Sequence, residues 1–415
     1  MSDDDGPKGG LFQRGHATLP GGALRALRER NLQRILEVIR SETGVRQADV
    51  ARRAELSRAT VSNLVAELER RGLVRTRRGV GGSPAGLEAV IGRPSNVVVG
   101  VDFGHRHVRV GVANLSGRLL ADEERPLPLD LGVDESGAEA WGMAKRLLAG
   151  AGFQESDVLE AGVGLPGPMD PVTGRVGWHA ILHRWAGLEA RSTLSELFGL
   201  PVVVDNDGNL GALGELRLGA GRGCKDLIYM NISTGVGAGL IIGGRLHRGA
   251  AGTAGEIGHI SIDQYGQVCR CGNRGCLDTV VGSDSFLEAL RGTYGDELSV
   301  GRVLELAGRG DARCRRALGD AGRALGVVIA DLCNLLSPQK VIVGGELILA
   351  GQLILGPVRE TIAQRTVPAA AAVVEIVPSL LGERSEVMGG ICLAIDAVES
   401  GAVVQALAPG AARGA

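Results

Sequence analysis

No apolar run in this 415-residue chain is long enough to span a bilayer, which excludes a membrane-spanning helix. The opening stretch MSDDDGPKGG is polar and acidic and has no leader-like apolar segment, so a cytoplasmic protein is expected. Lysine is scarce, four against 41 arginines, and that points to a high-GC genome rather than to a function. Net charge is nearly absent too, −2 at pH 7, and by itself names no partner. Cysteine offers no disulfide framework. Cys224, Cys314, Cys333 and Cys392 are scattered in apolar or helical contexts, and only Cys269, Cys271 and Cys276 lie close together. In a cytosolic chain such a trio indicates metal rather than disulfides.

What is present is core-forming material. Hydrophobic residues make up 44% of the chain, enough to argue against wholesale disorder, and the length calls for two or three domains. The charge is unevenly placed. Gly21–Val80 holds 14 Arg, no Lys and seven acidic residues, a local balance of +7 that leaves −9 for the rest. A basic end on an acidic protein suggests a nucleic-acid module.

The pattern of that end agrees. Residues 1–20 read as a disordered tail. Leu24, Leu27, Leu32, Ile35, Leu36 and Ile39 recur at helical spacing. Two further helices follow, one lined by Ala48, Val50, Ala51 and Ala54, the other capped by Ser57 with Val61, Leu64, Val65 and Leu68 inward. Gly72 stops the last, and LVRTRRG begins a strand. This predicts a winged helix-turn-helix over residues 21–82, then a Gly-, Pro- and Ser-rich linker over 83–96. Arg58, Thr60, Ser62 and Asn63 would face base edges from the start of the recognition helix. Arg75, Arg77 and Arg78 on the wing suit backbone phosphates. Arg93 is placed either in a minor groove or in a plain linker.

From Val97 the period changes to that of strands. VVVGVDFG, VRVGVANL and GRLLADEERPL predict a three-stranded meander, followed by a helix near Glu135–Ala151 and the strands VLEAGVGLPG and LPVVVDNDGN. At Asp226 a similar cycle begins with DLIYMNISTGVGAGLIIGGRL, and helices dominate from Ser283 to Leu336. Two such lobes with a cleft between them form an α/β ligand-binding architecture. Their expected bounds are 97–205 and 206–384, with a final helix over 385–398 packing back on the first lobe and a tail over 399–415.

Two sets of residues carry chemistry. GHISIDQYGQVCRCGNRGC supplies His259, Cys269, Cys271 and Cys276, one imidazole and three thiolates, the donor set of a closed structural zinc site. Gly272 and Gly275 let the chain turn tightly around the ion. Asn206 and Asp207 stand at a strand's end beside the expected cleft, and Glu256 precedes His259 by three. Amide and carboxylate groups of this kind hydrogen-bond sugar hydroxyls. Taken singly, Asp207 reads better as a helix cap and Glu256 as a surface-loop carboxylate.

Together the segments GLPGPMD, VDNDGNLGALGE, STGVGAG, GEIGHISIDQYGQVCRCGNRGCLD and VIVGGE resemble the ROK family of repressors, open reading frames and sugar kinases. With the winged helix-turn-helix, the chain resembles that family's regulators of sugar use, of the xylose and N-acetylglucosamine repressor type. The resemblance implies an actin-like, sugar-kinase-like (ribonuclease H-like) two-lobed α/β domain. It implies zinc on His259, Cys269, Cys271 and Cys276, and sugar contacts from Asn206, Asp207, Glu256, His259 and Asp278. In the family's kinases the residue matching Asp207 is the general base. Asp278 stands where the family has Glu, one methylene longer. In the region before VDNDGN, Trp185 matches the Trp of the kinases' Asn-Leu-Pro-Gly-Trp segment but the Asn has no counterpart, which leaves Trp178, His179, His183 and Arg184 to shape the ligand site.

The first hairpin departs further. Kinases of the family have Asp-x-Gly-Gly-Thr there, with amides on the nucleotide phosphates. Here Asp102 and Gly104 are kept, while His105 and Arg106 replace Gly and Thr, and the second hairpin STGVGAG is intact. A kinase relic is therefore expected: a sugar-responsive repressor of carbohydrate-utilisation genes, binding palindromic operator DNA as a homodimer or homotetramer with a small sugar as effector. The alternatives are an ATP-dependent sugar kinase, perhaps bifunctional, and a regulator answering to a phosphotransfer protein.

Overall fold

The structure, a computed structural model, describes residues 21–41, 45–70, 73–78, 87–91, 96–127, 131–170, 173–177 and 184–407. The tail expected over 1–20 lies outside these residues, as do Arg93, Trp178, His179 and His183. Two compact units divide the chain. One ends at Ile91 and also takes the chain from Gly401 onward; the other runs from Gly92 to Ser400.

The first unit holds α1 (Gly21–Ser41), β1 (Val45–Arg46), α2 (Gln47–Arg53), α3 (Arg58–Arg70), β2 (Val74–Arg78) and β3 (Leu87–Ile91). Its core is the expected one: Leu32, Ile35, Leu36 and Ile39 of α1, Val50, Ala51 and Ala54 in and after α2, and Val61, Leu64, Val65 and Leu68 of α3 are all buried. Leu27 and Ala48 are exposed, because the buried stripe of α1 begins a turn later and that of α2 starts at Val50. Ser57 caps α3, its Oγ accepting from the Thr60 amide at 3.1 Å. The linker expected over 83–96 is corrected. Residues 87–91 form β3, which pairs antiparallel with β2 from Val74↔Ile91 to Arg78↔Leu87 and with β1 at Val45↔Ala89. The winged domain therefore reaches Ile91, not residue 82. Five strand residues inside a Gly- and Pro-rich stretch leave no visible period, yet pairing on both edges satisfies their backbone.

The second unit opens with β4 (Val97–Phe103), β5 (His107–Asn114), β6 (Leu119–Pro126), α4 (Val133–Gly150), β7 (Val158–Leu165), α5 (Ala190–Phe198) and β8 (Val202–Asn206). Then come α6 (Asp207–Leu218), β9 (Leu227–Ile232), β10 (Val236–Ile242), β11 (Arg245–His247), α7 (Asp278–Val281), α8 (Ser283–Tyr294), α9 (Val300–Gly308) and α10 (Ala312–Leu336). β12 (Lys340–Gly344), α11 (Gln352–Arg365), α12 (Pro368–Ala371), β13 (Glu375–Pro378) and α13 (Ser385–Leu407) complete it.

The two lobes share one topology. The sheets run β6-β5-β4-β7-β8 and β11-β10-β9-β12-β13. In each, an antiparallel meander leads to two parallel strands. β4 is buried along its whole length, which is why its sequence is apolar without alternation. α4 and α5 close the first sheet, with Trp141 stacked on Phe198 at 5.1 Å. α10 and α11 build the core of the second lobe.

α13 joins the lobes by passing between β7 and α6, an approach only glycine permits. A Cβ on Gly162 would lie 1.9 Å from the Gly390 carbonyl oxygen, and one on Gly389 1.8 Å from that of Leu210. The helix expected to end at Val398 continues to Leu407, which corrects the tail assigned from residue 399. It carries Gly401, but a single glycine costs a helix only ~1 kcal/mol and does not stop it. α5 was not expected from the sequence.

Candidate functional site

The cleft between the lobes is a cavity of about 320 Å³. Asp102, His105 and His107 reach it from the first hairpin, Asn206 and Asp207 from the end of β8 and start of α6. Glu256, His259 and Asp278 reach it from the segment after β11, and Glu386 from α13. All five residues expected to touch a sugar therefore face one space.

Their hydrogen bonds separate their roles. Asn206, not Asp207, caps α6: its Oδ1 accepts from the Asn209 amide at 3.1 Å, while its Nδ2 donates to the Gly167 carbonyl and to Asp207 Oδ1. Asp207 Oδ1 also accepts from the Gly208 amide at 2.7 Å. Oδ1 is thus held and Oδ2 has no protein partner among the described residues. Burial, then the nearby Asp102, pushes the Asp207 carboxyl up to about 7. Asp278 is buried and doubly engaged, accepting from the Val236 amide at 2.8 Å and from Arg270 at 3.0 Å. Gly235 leaves room for that pair, since a Cβ there would sit 2.7 Å from Arg270 Nη2 and 2.8 Å from Asp278 Oδ1.

His259, Cys269, Cys271 and Cys276 place one donor atom each within 4.8 Å of all the others. Cys269 Sγ lies 3.6 Å from His259 Nδ1 and Cys271 Sγ 3.7 Å from Cys276 Sγ. Sulfurs about 2.3 Å from a tetrahedral ion would stand about 3.8 Å apart, so this set fits one metal ion. Gly272 and Gly275 take positive φ, and a Cβ on Gly275 would lie 1.6 Å from the Asp263 carbonyl oxygen, so the turn needs glycine there. The turn touches the cleft twice. Arg270, between two of the cysteines, holds Asp278. The His259 ring turns Nδ1 to Cys269 and places Nε2 3.9 Å from Glu256.

At the first hairpin, Arg106 does not face the cavity. Its Nη2 donates across the lobes to Asp284 in the first turn of α8, at 2.5 Å. His105 lines the cleft and burial lowers it to about 4, so it is neutral near pH 7. His107 Nε2 lies 3.4 Å from Asp102 Oδ2.

The ROK family profile matches residues 98–397. The chain belongs to the ROK family. A MarR family profile matches residues 34–82, within the winged unit. Among curated proteins the chain is similar to a xylose repressor of Caldicellulosiruptor bescii, 30% identical over 385 residues, covering 89% of this chain and 96% of the relative. Among solved structures, a ROK family transcriptional regulator homologous to the E. coli MLC protein shares the fold: TM-score 0.80, 23% identity, 92% of this chain and 99% of that one. A Streptomyces griseus ROK glucokinase solved with glucose and AMPPNP aligns at TM-score 0.65 and 28% identity, over 72% of this chain and all of that one. No helix among the described residues of this ROK protein is long and apolar enough to cross a membrane.

In the winged unit, Arg58, Ser62, Asn63 and Arg75 are exposed, while Thr60 is half-buried with its hydroxyl 2.8 Å from Ser57 Oγ. Arg77 and Arg78 lie on β2. Glu69 braces the wing, accepting from the Thr76 amide at 2.8 Å and its hydroxyl at 2.7 Å, and these bonds hold its carboxyl below the usual range.

Sequence reasoning missed three features of this ROK protein, two of them in the cleft and one, the Arg248–Asp205 pair, outside it. Glu386 Oε1 accepts from Tyr229 Oη at 2.7 Å and Asn231 Nδ2 at 3.0 Å inside the cavity. Arg248 donates through Nε and Nη2 to buried Asp205, which also orients Asn209. Arg270 was passed over as a spacer between cysteines. The lone acid in the apolar run SEVMGGICLAI was the one available signal for Glu386.

Proposed function

We propose that this ROK protein is a sugar-responsive transcriptional regulator, a repressor of carbohydrate-utilisation genes. Operator DNA binds the winged unit through Arg58, Thr60, Ser62, Asn63, Arg75, Arg77 and Arg93. The effector is a small sugar held by Asp207, Glu256 and His259, with Asn206 and Asp278 fixing the walls. A homodimer or homotetramer on a palindromic operator follows from matching twofold symmetries. The observation that carries the reading is one chain joining a winged helix with an exposed polar recognition face to a cleft whose Asp207 keeps an unpartnered oxygen. Likeness to a named xylose repressor along nearly the whole chain supports it.

His259, Cys269, Cys271 and Cys276 would hold zinc. Four protein donors leave no open position, so its contribution is to fold the turn that carries His259 and Arg270. Sugar contact with Glu256 and His259 then acts on the same turn. A sugar weakens DNA binding only if it prefers one lobe arrangement over the other.

Phosphotransfer is lost in this reading. His105 fills the side of the cleft where a kinase of this family offers backbone, and Arg106 is tied to Asp284. The arginine lining that space, Arg270, is already bound to Asp278, so no free cation awaits a triphosphate among the described residues. The test is operator binding by fluorescence anisotropy, with the operator selected from genomic fragments, followed by titration with monosaccharides with and without Mg-ATP. Release of DNA by a sugar without ATP turnover is expected. ATP-dependent sugar phosphorylation that disappears in Asp207→Asn would put the kinase reading first, and absence of any DNA binding would end the regulator reading.

A further inference from the structure

The inner end of the cleft holds more carboxylate than its neighbours neutralise. Asp102 ends β4, Asp207 starts α6 and Glu386 lies in the first turn of α13, so three separate elements aim acids at one space. Asp102 is 4% exposed and Glu386 5%. The cations nearby are committed elsewhere: Arg270 to Asp278, and Arg109 to Asp122, Glu124 and Glu383. Among the described residues no Lys or Arg pairs with Asp102, Asp207 or Glu386. Asp102 Oδ1 is buried without any hydrogen-bond partner, and its Oδ2 has only His107 at 3.4 Å. On the second hairpin, Thr234 Oγ1 is likewise buried and unpartnered.

Unanswered buried charge is costly, and the acids respond to it. Burial and mutual repulsion raise Glu386 to about 8 and Asp207 to about 7. The other ionisable groups lining the cavity are His105, His107 of β5, Glu124 of β6, Tyr229 of β9, Glu256, His259, Arg270, Asp278, Glu346 and Glu383. Of the basic ones, Arg270 is bound to Asp278, His105 is neutral near pH 7, His259 belongs to the cysteine set, and His107 is paired with Asp102. A phosphate here would meet acids on three sides, and a neutral hydroxyl would leave the repulsion in place. A protonated amine would relieve it, with charge-assisted bonds to the carboxylates that line this space. The cavity, at about 320 Å³, is at the small end of ligand pockets and suits one sugar ring.

We propose that the inner end of the cleft, formed by Asp102, Asp207 and Glu386, is a subsite for the ammonium group of an amine-bearing sugar, and that phosphorylated sugars are excluded from it. This rests on the sugar-effector reading and names the effector's class. Metal coordination is a poorer fit, because among the described residues only the His259 and cysteine set brings three or more donors close enough for one ion.

The test is calorimetric titration of the full-length protein at pH 7 with 2-, 3- and 6-amino deoxyhexoses. Each is paired with its neutral parent, its N-acetyl derivative and its 6-phosphate where one exists. At least one amine is expected to bind about tenfold or more tighter than its parent, as one charge-assisted bond in a buried site allows. Phosphates are expected to bind worst. Glu386→Gln should shrink the amine-to-parent ratio. Independently of any variant, the wild type should release more protons on binding the amine than on binding the parent, because Glu386 as well as Asp207 must then ionise, read from the dependence of the heat on buffer ionisation. Parent and amine binding alike, or a phosphate binding tightest, overturns the subsite and leaves the sugar reading standing. If no sugar binds, neutral ones included, the sugar reading itself falls and the subsite with it.

Discussion

Glu215 of α6 is fully buried and accepts more hydrogen bonds than any other acid of the second unit's interior. Its Oε1 receives the Ser379 hydroxyl at 2.6 Å, the Ser385 hydroxyl at 3.0 Å and the Leu381 amide at 3.0 Å; its Oε2 receives the Ala220 amide at 2.7 Å. All but Ala220 lie on the crossover from β13 into α13, so one side chain pins the segment that joins the lobes to the end of α6. Glu215→Gln keeps the shape and turns one acceptor into a donor. With the amide nitrogen at the Oε2 position, the Ala220 N–H faces another N–H. At the Oε1 position the two hydroxyls can rotate to accept, but the Leu381 N–H cannot. Either way at least one part-buried backbone donor is stranded, at Oε2 the more distant Leu380 amide as well, at a cost of about 3 kcal/mol once the lost charge assistance is included. For a unit of this size about 1 kcal/mol moves Tm by about 2 °C, so calorimetry of the full chain should show this unit's transition lowered by about 6 °C. Glu215→Ala strands every donor and opens a cavity, and should cost more. A Glu215→Gln transition within about 1 °C of wild type would refute the claim that these bonds hold the crossover.

Cys271→Ser, which removes the exposed member of the donor set, should yield protein with little bound metal by elemental analysis and faster proteolysis between Ser261 and Leu277, at unchanged operator affinity without sugar. Asp207 ionises near 7, and its carboxylate is the form that accepts from sugar hydroxyls; affinity for a neutral sugar should therefore rise as pH passes upward through about 7, and Asp207→Asn should flatten that dependence. Arg75→Ala, at an exposed wing position, should weaken binding evenly across operator variants and lower the slope of log affinity against log salt by about 1. Arg106→Ala removes an exposed ion pair and should change stability by less than ~1 kcal/mol in denaturant titration, because solvent screens such pairs.

Much of this site was legible in the residues because its chemistry is local. The donor set that could hold a metal ion lies within a single stretch from His259 to Cys276, and the capping and strand-end residues of β8 and α6 stand side by side in VDNDGN. The strand-to-helix succession likewise follows from period, since β4 and β9 are continuous apolar runs that no surface helix would use. What stayed hidden depends on contacts between distant segments. Nothing near Glu386 in sequence indicates that Tyr229, 157 positions earlier, will hold its carboxylate. Asn206 rather than Asp207 proved to be the cap, a choice set by which side chain the strand end leaves pointing back along the helix. β3 was hidden because five residues carry too little pattern against a glycine-rich background, and pairing on two edges, not composition, makes them a strand.

The contacts between the two lobes differ in kind at the two ends of the cleft, and this decides what an effector can move. At the hinge, α13 lies backbone to backbone against Gly162 and against Leu210, where the addition of a methyl group would overlap a carbonyl oxygen. Such packing resists sliding, since interiors are as dense as organic crystals. At the mouth, the first hairpin is tied to α8 by the Arg106–Asp284 pair, with both side chains half or more exposed. Pairs of that sort contribute at most ~1 kcal/mol. A ligand bound between Asp102 of the first lobe and Glu256 of the second gains several hydrogen bonds of comparable or greater strength, so its differential affinity is enough to reset the mouth while the hinge stays in register. Rotation of the lobes about α13, read out at His259 and Arg270, is the motion this distribution of contacts permits.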